Sequence, residues 1–354
     1  MALADTARAL VDRRLRARQM HLWLGILLAA IAIISLATGA SGTSLWSALF
    51  RLASGDGLSL TERVVLWDIR APRTLLGICV GGALAVSGAV MQGLFRNPLA
   101  DPGLLGVSAG ASLGAITAIV LGGLLPFGLG AFLGAALLPI LAFVGAWLTM
   151  MVLYAVATRS GRTSVATMLL AGIALGALAA AFSGLLIFRA DDMQLRELTF
   201  WNLGSLSGSS WSKILLAGPV ILIATAFATT LAHGLNGLAL GEASAHHIGI
   251  PVQRTKNLAI LTVSGATGAA VAVSGGIGFI GIVVPHLLRL ATGPDHHGLL
   301  VNSALLGASL LLLADIFARF VVAPAELPIG IVTALIGTPV FMWILLRQRC
   351  VVDL

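Results

Sequence analysis

PRTLLGICVGGALAVSGAVM, residues 72–91, is a run of twenty residues with one charge, Arg73, and its reading decides the class of the molecule. A helix rising 1.5 Å per residue needs about twenty apolar residues to cross the roughly 30 Å of hydrocarbon in a bilayer. Gly77 and Gly81 stand four apart within it, and the same spacing recurs at Gly110/Gly114, Gly130/Gly134 and Gly172/Gly176. Small residues at that interval let membrane helices approach closely.

The rest of the chain has the same character. Hydrophobic residues make up 58% of its 354 positions and charged residues 10%, which no soluble domain of this length carries on its surface. Apolar runs long enough to span, or nearly so, lie at about 21–40, 72–91, 104–122, 128–157, 164–188, 211–231, 257–273, 277–291, 299–322 and 327–346, with the eighth short and broken by glycine. The expected fold is therefore all-α: a polytopic bundle of about ten transmembrane helices, in which residues 1–20 form a cytoplasmic segment and 21–354 a single membrane domain. An outer-membrane barrel would show alternating segments of about ten residues instead. Cys79 lies in an apolar run and Cys350 in the tail, so no disulfide framework is implied. The basic N-terminus precedes a long apolar run without a small-residue cleavage site, which argues against a cleaved signal.

In a soluble protein the net charge of +7 would suggest a nucleic-acid partner; in a membrane protein it marks sidedness. With both termini in the cytoplasm, 13 of the 21 Lys and Arg fall inside and 8 outside, and an even number of crossings keeps both basic ends on one side. This places 96–103, the hydrophilic turn 159–164 and the connection after the sixth run in the cytoplasm. Two longer loops, 41–71 and 189–210, and short turns at 126–128 and 323–326 fall outside.

Few motifs offer chemistry. Gly276-Ile-Gly-Phe-Ile-Gly281 matches the dinucleotide fingerprint GxGxxG, but it sits between apolar runs and its next acidic residue is Asp295, so a broken or closely packed membrane helix lining a cavity is expected. The chain has only two lysines, Lys213 and Lys256, and no GxxxxGK[ST] loop, so any ATP must be used by a partner. HExxH and GxSxG are read as absent, as is a pair of intramembrane carboxylates, which leaves a membrane enzyme little to work with. Asp315 and Arg319 stand at i, i+4, which suits an ion pair, while Arg319 near a helix end also suits docking. Asp101-Pro-Gly103 reads as a helix start. His246/His247 and His296/His297 lack companions for a metal and read as solvated cytoplasmic histidines.

LALGEASAHHIGIP, residues 238–251, is a small-residue island. Read as one helix, it places Gly241, Ala245 and Gly249 on a nearly bald stripe that would receive another surface, with Glu242, His246 and His247 beside it, and Gly249 and Pro251 stop it. An ordinary interhelical connector explains the same residues.

At these blocks the chain resembles the permease subunit of binding-protein-dependent (type II) ABC importers, the family that carries iron-siderophores, haem and vitamin B12. The resemblance rests on RAPRTLLGICVGGALAVSGAVMQGLFRNPLADPGLLGVSAGAS at 70–112, MLLAGIALG at 168–176, LALGEASAHHIGIP at 238–251, GGIGFIGIVVPHLLR at 275–289, LLLADIFAR at 311–319 and ELPIGIVTALIGTPVF at 326–341. It implies a homodimer in the bacterial inner membrane, two cytoplasmic ATP-binding subunits that hold ATP and Mg, and a periplasmic binding protein, with no cofactor or metal in this chain. Residues 238–251 match the family's ATPase-coupling helices, which gives Gly241, Glu242, Ala245, His246 and Gly249 a contact role. Arg70, Arg73 and Arg319 match arginines that meet glutamates of the binding protein, and Gly276, Gly278, Gly281 and Pro285 belong to packing or pathway. The path is implied along the fifth and tenth runs, with an inner gate near 163–167. LTFWNLGSLSGSSW at 198–211 looks most like haem permeases, so haem is the expected cargo, ahead of ferric siderophore or vitamin B12. An ion-coupled secondary transporter is the rival class, for which Asp315 is the carboxylate available.

Overall fold

The computed structural model describes residues 2–352, apart from 40–41, 56, 125–128, 160–161 and 324. Ten helical elements stand where the ten apolar runs were read. Among the described residues, eight are long and apolar enough to cross a membrane; the eighth and tenth runs are represented by the shorter apolar helices Ile280–Thr292 and Ile329–Ile344.

In chain order, α1 (Ala2–Ala37) is followed by α2 (Leu45–Ser54), α3 (Leu60–Arg63), a π-helical segment (Val64–Arg70) and α4 (Ala71–Phe95). A 3-10 turn, Pro102–Leu105, leads into α5 (Val107–Leu121); α6 (Leu129–Leu133) and α7 (Leu137–Ala157) come next. A hairpin of two-residue strands, β1 (Thr158–Arg159) and β2 (Arg162–Thr163), pairs Thr158 with Thr163 and precedes α8 (Val165–Ile187). Then follow α9 (Asp192–Asn202), α10 (Trp211–Thr229), α11 (Ala232–Ala239), α12 (Glu242–His247), α13 (Val252–Ser274), α14 (Ile280–Thr292), α15 (His296–Val321) and α16 (Ile329–Val352).

Burial separates core from periphery. The span through α4 is 89% buried and that of α13 78%, against 17% for α1 and for α8. α4 packs against α10, α13, α14 and α15, while α5, α7 and α8 form a second group. The glycines explain how helices come this close. A Cβ at Gly81 would stand 2.5 Å from the Gly307 carbonyl oxygen and 2.9 Å from Ala308 Cα, and one at Gly88 would overlap the backbone of Gly281. Gly110 and Gly114 meet α7 at Gly145 and Leu141 in the same way, and Gly172 offers its carbonyl to Gly106. The fourth expected spacing does not join two spans: Gly130 lies in the five-residue α6 and meets the backbone of Gly122, and Gly134 faces open space.

Several boundaries differ from expectation. The outer loops expected at 41–71 and 189–210 are largely helical. Ser44 caps α2, and reciprocal Ser59/Glu62 and Asp191/Gln194 capping boxes start α3 and α9, satisfying N–H groups that a loop would leave to water. The single run expected over 128–157 is instead α6, a 3-10 turn at Gly134–Ala136 and α7. The turn expected at 126–128 lies outside the described residues, as do parts of those at 159–164 and 323–326.

Candidate functional site

The two ends of α4 carry the polar chemistry. At its N-terminal end Arg70, Arg73 and Arg319 converge, and the structure turns all three inward. Arg70 is 4% exposed and Arg73 7%, and the side chain of Arg319 is 9% exposed. The acceptor for Arg73 and Arg319 is Asp315, fully buried on α15: Arg73 Nη2 and Arg319 Nη2 each stand 2.9 Å from one of its carboxylate oxygens, and Arg73 Nε lies 3.0 Å from Oδ1. Arg73 Nη1 reaches Glu326 Oε1 at 2.7 Å. Arg70 Nη1 donates to the carbonyls of Leu36, Ala37 and Thr43, around the C-terminal end of α1 where helix carbonyls lack partners. The three arginines expected to meet a binding protein are thus buried in this structure. Asp315–Arg319 pairing appeared in the sequence as an i, i+4 spacing; the bond to Arg73, 242 residues away, did not.

Glu326 sits at the edge of this cluster, between α15 and α16. Burial would raise its carboxyl pKa, but the hydrogen bond and charge of Arg73 outweigh that and hold it below the ordinary range. A carboxyl depressed by folding stabilises the native state above its unfolded pKa of about 4.3, and that contribution is lost as pH falls through the folded value. Acid titration of thermal stability should therefore show a loss on the low-pH side that Glu326→Gln reduces. An identical acid limb in the variant would mean that the Arg73 contact contributes nothing.

The helix break lies between α13 and α14. Gly275 (φ 70°) and Phe279 (φ 68°) adopt left-handed backbone, so neither helix continues through it. Gly275 and Gly276 lie against the carbonyls of Trp201 and Asn202, and Gly281 against Gly88 and the Leu84 carbonyl. Pro285 is buried within α14. Gly278, expected to serve packing or the pathway, is exposed with nothing near the position of a Cβ, so it makes no close packing contact. No strand precedes the motif, which agrees with rejecting a dinucleotide site. An apolar cavity of about 530 Å³ opens beside Phe279, toward Phe317 and Phe320 of α15 and Gly337 of α16.

One reading is overturned: GxSxG, the spacing of a nucleophile elbow, is present in Gly106-Val-Ser-Ala-Gly-Ala-Ser-Leu-Gly114, where two copies overlap. It follows a 3-10 turn rather than a strand, and its glycines are buried against α7 and α8, so packing accounts for it. Upstream, Asp101 caps that turn as expected, Oδ1 accepting from Gly103 N at 2.8 Å, while burial pushes its carboxyl pKa up against that bond's pull.

At the C-terminal end of α4, beside Arg96, lies the 238–251 segment, and here the bald stripe fails. Gly241 (φ 99°) and Gly249 (φ 83°) end the helix on both sides, so the three small residues never share one helical face. Ala245 is fully buried and points into the bundle with Ile250, whose N–H bonds the Ala245 carbonyl at 3.0 Å. What faces outward is Glu242, Ala243, Ser244, His246, His247 and Ile248. An open groove of about 950 Å³ is lined by Glu242, Ala243 and His246 of this face and by Arg162, Arg254 and Lys256. His296 departs from the solvated histidine expected: it is buried, with Nδ1 2.8 Å from Asn236 Oδ1, whereas His297 is exposed beside Asp295.

Residues 26–347 match the FecCD transport family. The chain belongs to that family. The permease is 45% identical over 331 residues to the hemin transport system permease protein HmuU of Yersinia pestis, covering 94% of this chain and 97% of that one. It is also 45% identical over 300 residues to the vitamin B12 import system permease protein BtuC of Salmonella typhi, covering 84% and 88%. Among solved structures, one described as the inward-facing conformation of a metal-chelate type ABC transporter superposes with a TM-score of 0.79 at 31% identity, covering 93% of this chain and 99% of that one. The permease is a multi-pass membrane protein of the ABC importer type.

Proposed function

We propose that this permease carries haem across the bacterial inner membrane as a homodimer, with two cytoplasmic ATP-binding subunits that bind ATP and Mg and a periplasmic binding protein that delivers the cargo. The observation that carries the reading is the match to a hemin permease along 94% of the chain. The 198–211 block points the same way. Vitamin B12 is the second reading, favoured by equal identity to a B12 permease over a shorter span; a ferric siderophore fits the same mechanism.

The termini and α12 face the cytoplasm in this reading. Glu242 and His246 contact the ATPase, Gly241 and Gly249 set the turns that present them, and Ala245 seats α12 rather than touching the partner. The binding protein docks over Arg70, Arg73 and Arg319; Arg73 and Arg319 would exchange Asp315 and Glu326, and Arg70 its main-chain carbonyls, for partner carboxylates. α8 and α16 line the path between the two copies, supported by the exposed apolar side chains Leu170, Ile173, Leu335 and Ile336. Asp315 argues against the ion-coupled rival, since a carboxylate held by two arginines is poorly placed to take up protons or sodium.

The test is uptake in proteoliposomes containing the permease, its cognate ATPase and the binding protein. Haem should accumulate with ATP and not with an ion gradient, and the binding protein should retain haem on purification. Uptake of vitamin B12 or a siderophore in its place would reassign the cargo; uptake driven by ions without ATP would sink the importer reading.

A further inference from the structure

Lys256, one of two lysines in the chain, is 4% exposed near the start of α13. A buried ammonium persists only where charge and hydrogen bonds replace the lost water. Two oxygens do so here: Glu242 Oε1 of α12 at 2.7 Å and the Thr163 carbonyl of β2 at 3.0 Å. Lysine suits this position because a single point charge with three donors serves partners in different directions.

Both partners sit at joints. α12 is six residues long between two left-handed glycines, so its attachment to the bundle rests on the inward Ala245 and Ile250 and on the Glu242 charge. Thr163 is held at every polar atom. Its N–H donates to Gln253 Oε1 at 3.0 Å, its hydroxyl receives Gln253 Nε2 at 2.6 Å, and its carbonyl takes Lys256. The next residue, Ser164, caps α8 by accepting from Thr167 N. One ammonium therefore joins the outward-facing α12 to the residue before the N-cap of α8.

We infer that Lys256 is a positioning residue for transport, a strut through which displacement of α12 is passed to the inner end of α8, with Gln253 fixing the far joint. The inference rests on the reading of α12 as the ATPase-facing segment and of α8 as a path helix.

The experiment uses the complete transporter in proteoliposomes, with haem as the probe and haem imported per ATP hydrolysed as the readout. Lys256→Met should assemble with the ATPase and hydrolyse ATP while this ratio falls roughly tenfold, within the range that couplings between sites span. Lys256→Arg, which keeps the charge and both donors, should restore most of the ratio. Glu242→Gln should reproduce the loss, and the double variant should be no worse than either single one, since both break one link. Should Lys256→Met fail to assemble, Gln253→Leu, altered at the far joint where it holds Thr163, carries the test and should lower the same ratio. A normal ratio in either variant, Arg failing where Met fails, or additive losses would overturn the strut. A wild-type transporter in which ATP drives no uptake would overturn the importer reading and the strut with it.

Discussion

Replacing Asp315 with asparagine is expected to destabilise the permease by about 3–5 kcal/mol, the range seen when one member of a buried ion pair is removed. The side chain is fully buried and accepts from Arg73 and Arg319, each at 2.9 Å, so the amide would leave two guanidiniums facing each other among apolar helices with one half-exposed carboxylate, Glu326, for compensation. Thermal unfolding of the detergent-solubilised protein, followed by tryptophan fluorescence, measures it directly. An unchanged midpoint would mean that the arginines find water or lipid phosphate instead. Replacing the trio together, Arg73→Met with Asp315→Leu and Arg319→Met, should recover much of the loss, because packed apolar side chains of similar volume often match a buried ion cluster. The triple variant should nevertheless fail to engage the binding protein, which separates the stability of this cluster from its proposed docking role.

Gly88→Val is expected to be more severe, removing folded protein from the membrane altogether. A Cβ there overlaps the main chain of Gly281, and a main-chain carbonyl, unlike a side chain, has no alternative rotamer to adopt. Overpacking typically costs about 1–3 kcal/mol where side chains can adjust, and this contact lacks that relief. Membrane yield and a monodisperse elution profile report the outcome; wild-type values for both would show that α4 and α14 are not held at backbone contact. Gly278→Leu provides the control, since nothing lies within 4 Å of its added Cβ and the variant should fold.

The bundle was legible because each span is a long apolar run in a chain with few charges, and because small residues four apart marked α4 and α5 as close-packed. The polar sites were legible in part. Asp315–Arg319 is a local spacing, whereas Arg73–Asp315 and Lys256–Thr163 join residues that only the completed bundle brings together. Gly241 and Gly249 misled for a definite reason: glycine either removes a side chain from a helical face or permits left-handed backbone, and the second use destroys the helix that the first assumes. The Gly249–Pro251 stop was the available hint, and it described the end of the segment but not its beginning. Lys256 carried a signal of its own, as a rare lysine at the mouth of an apolar run.

The helix that runs without interruption from Leu60 to Phe95 has 36 residues, so at 1.5 Å per residue it is roughly 54 Å long, against about 30 Å of hydrocarbon. More than a third of it must tilt or stand clear of the lipid tails, and Arg70 and Arg73 lie about 15–20 Å from its starting end. Bilayer thickness thus becomes a variable of the permease: thin membranes leave the arginine cluster in the headgroup layer, and thick ones draw it toward the acyl chains, where ionised groups are hardest to keep.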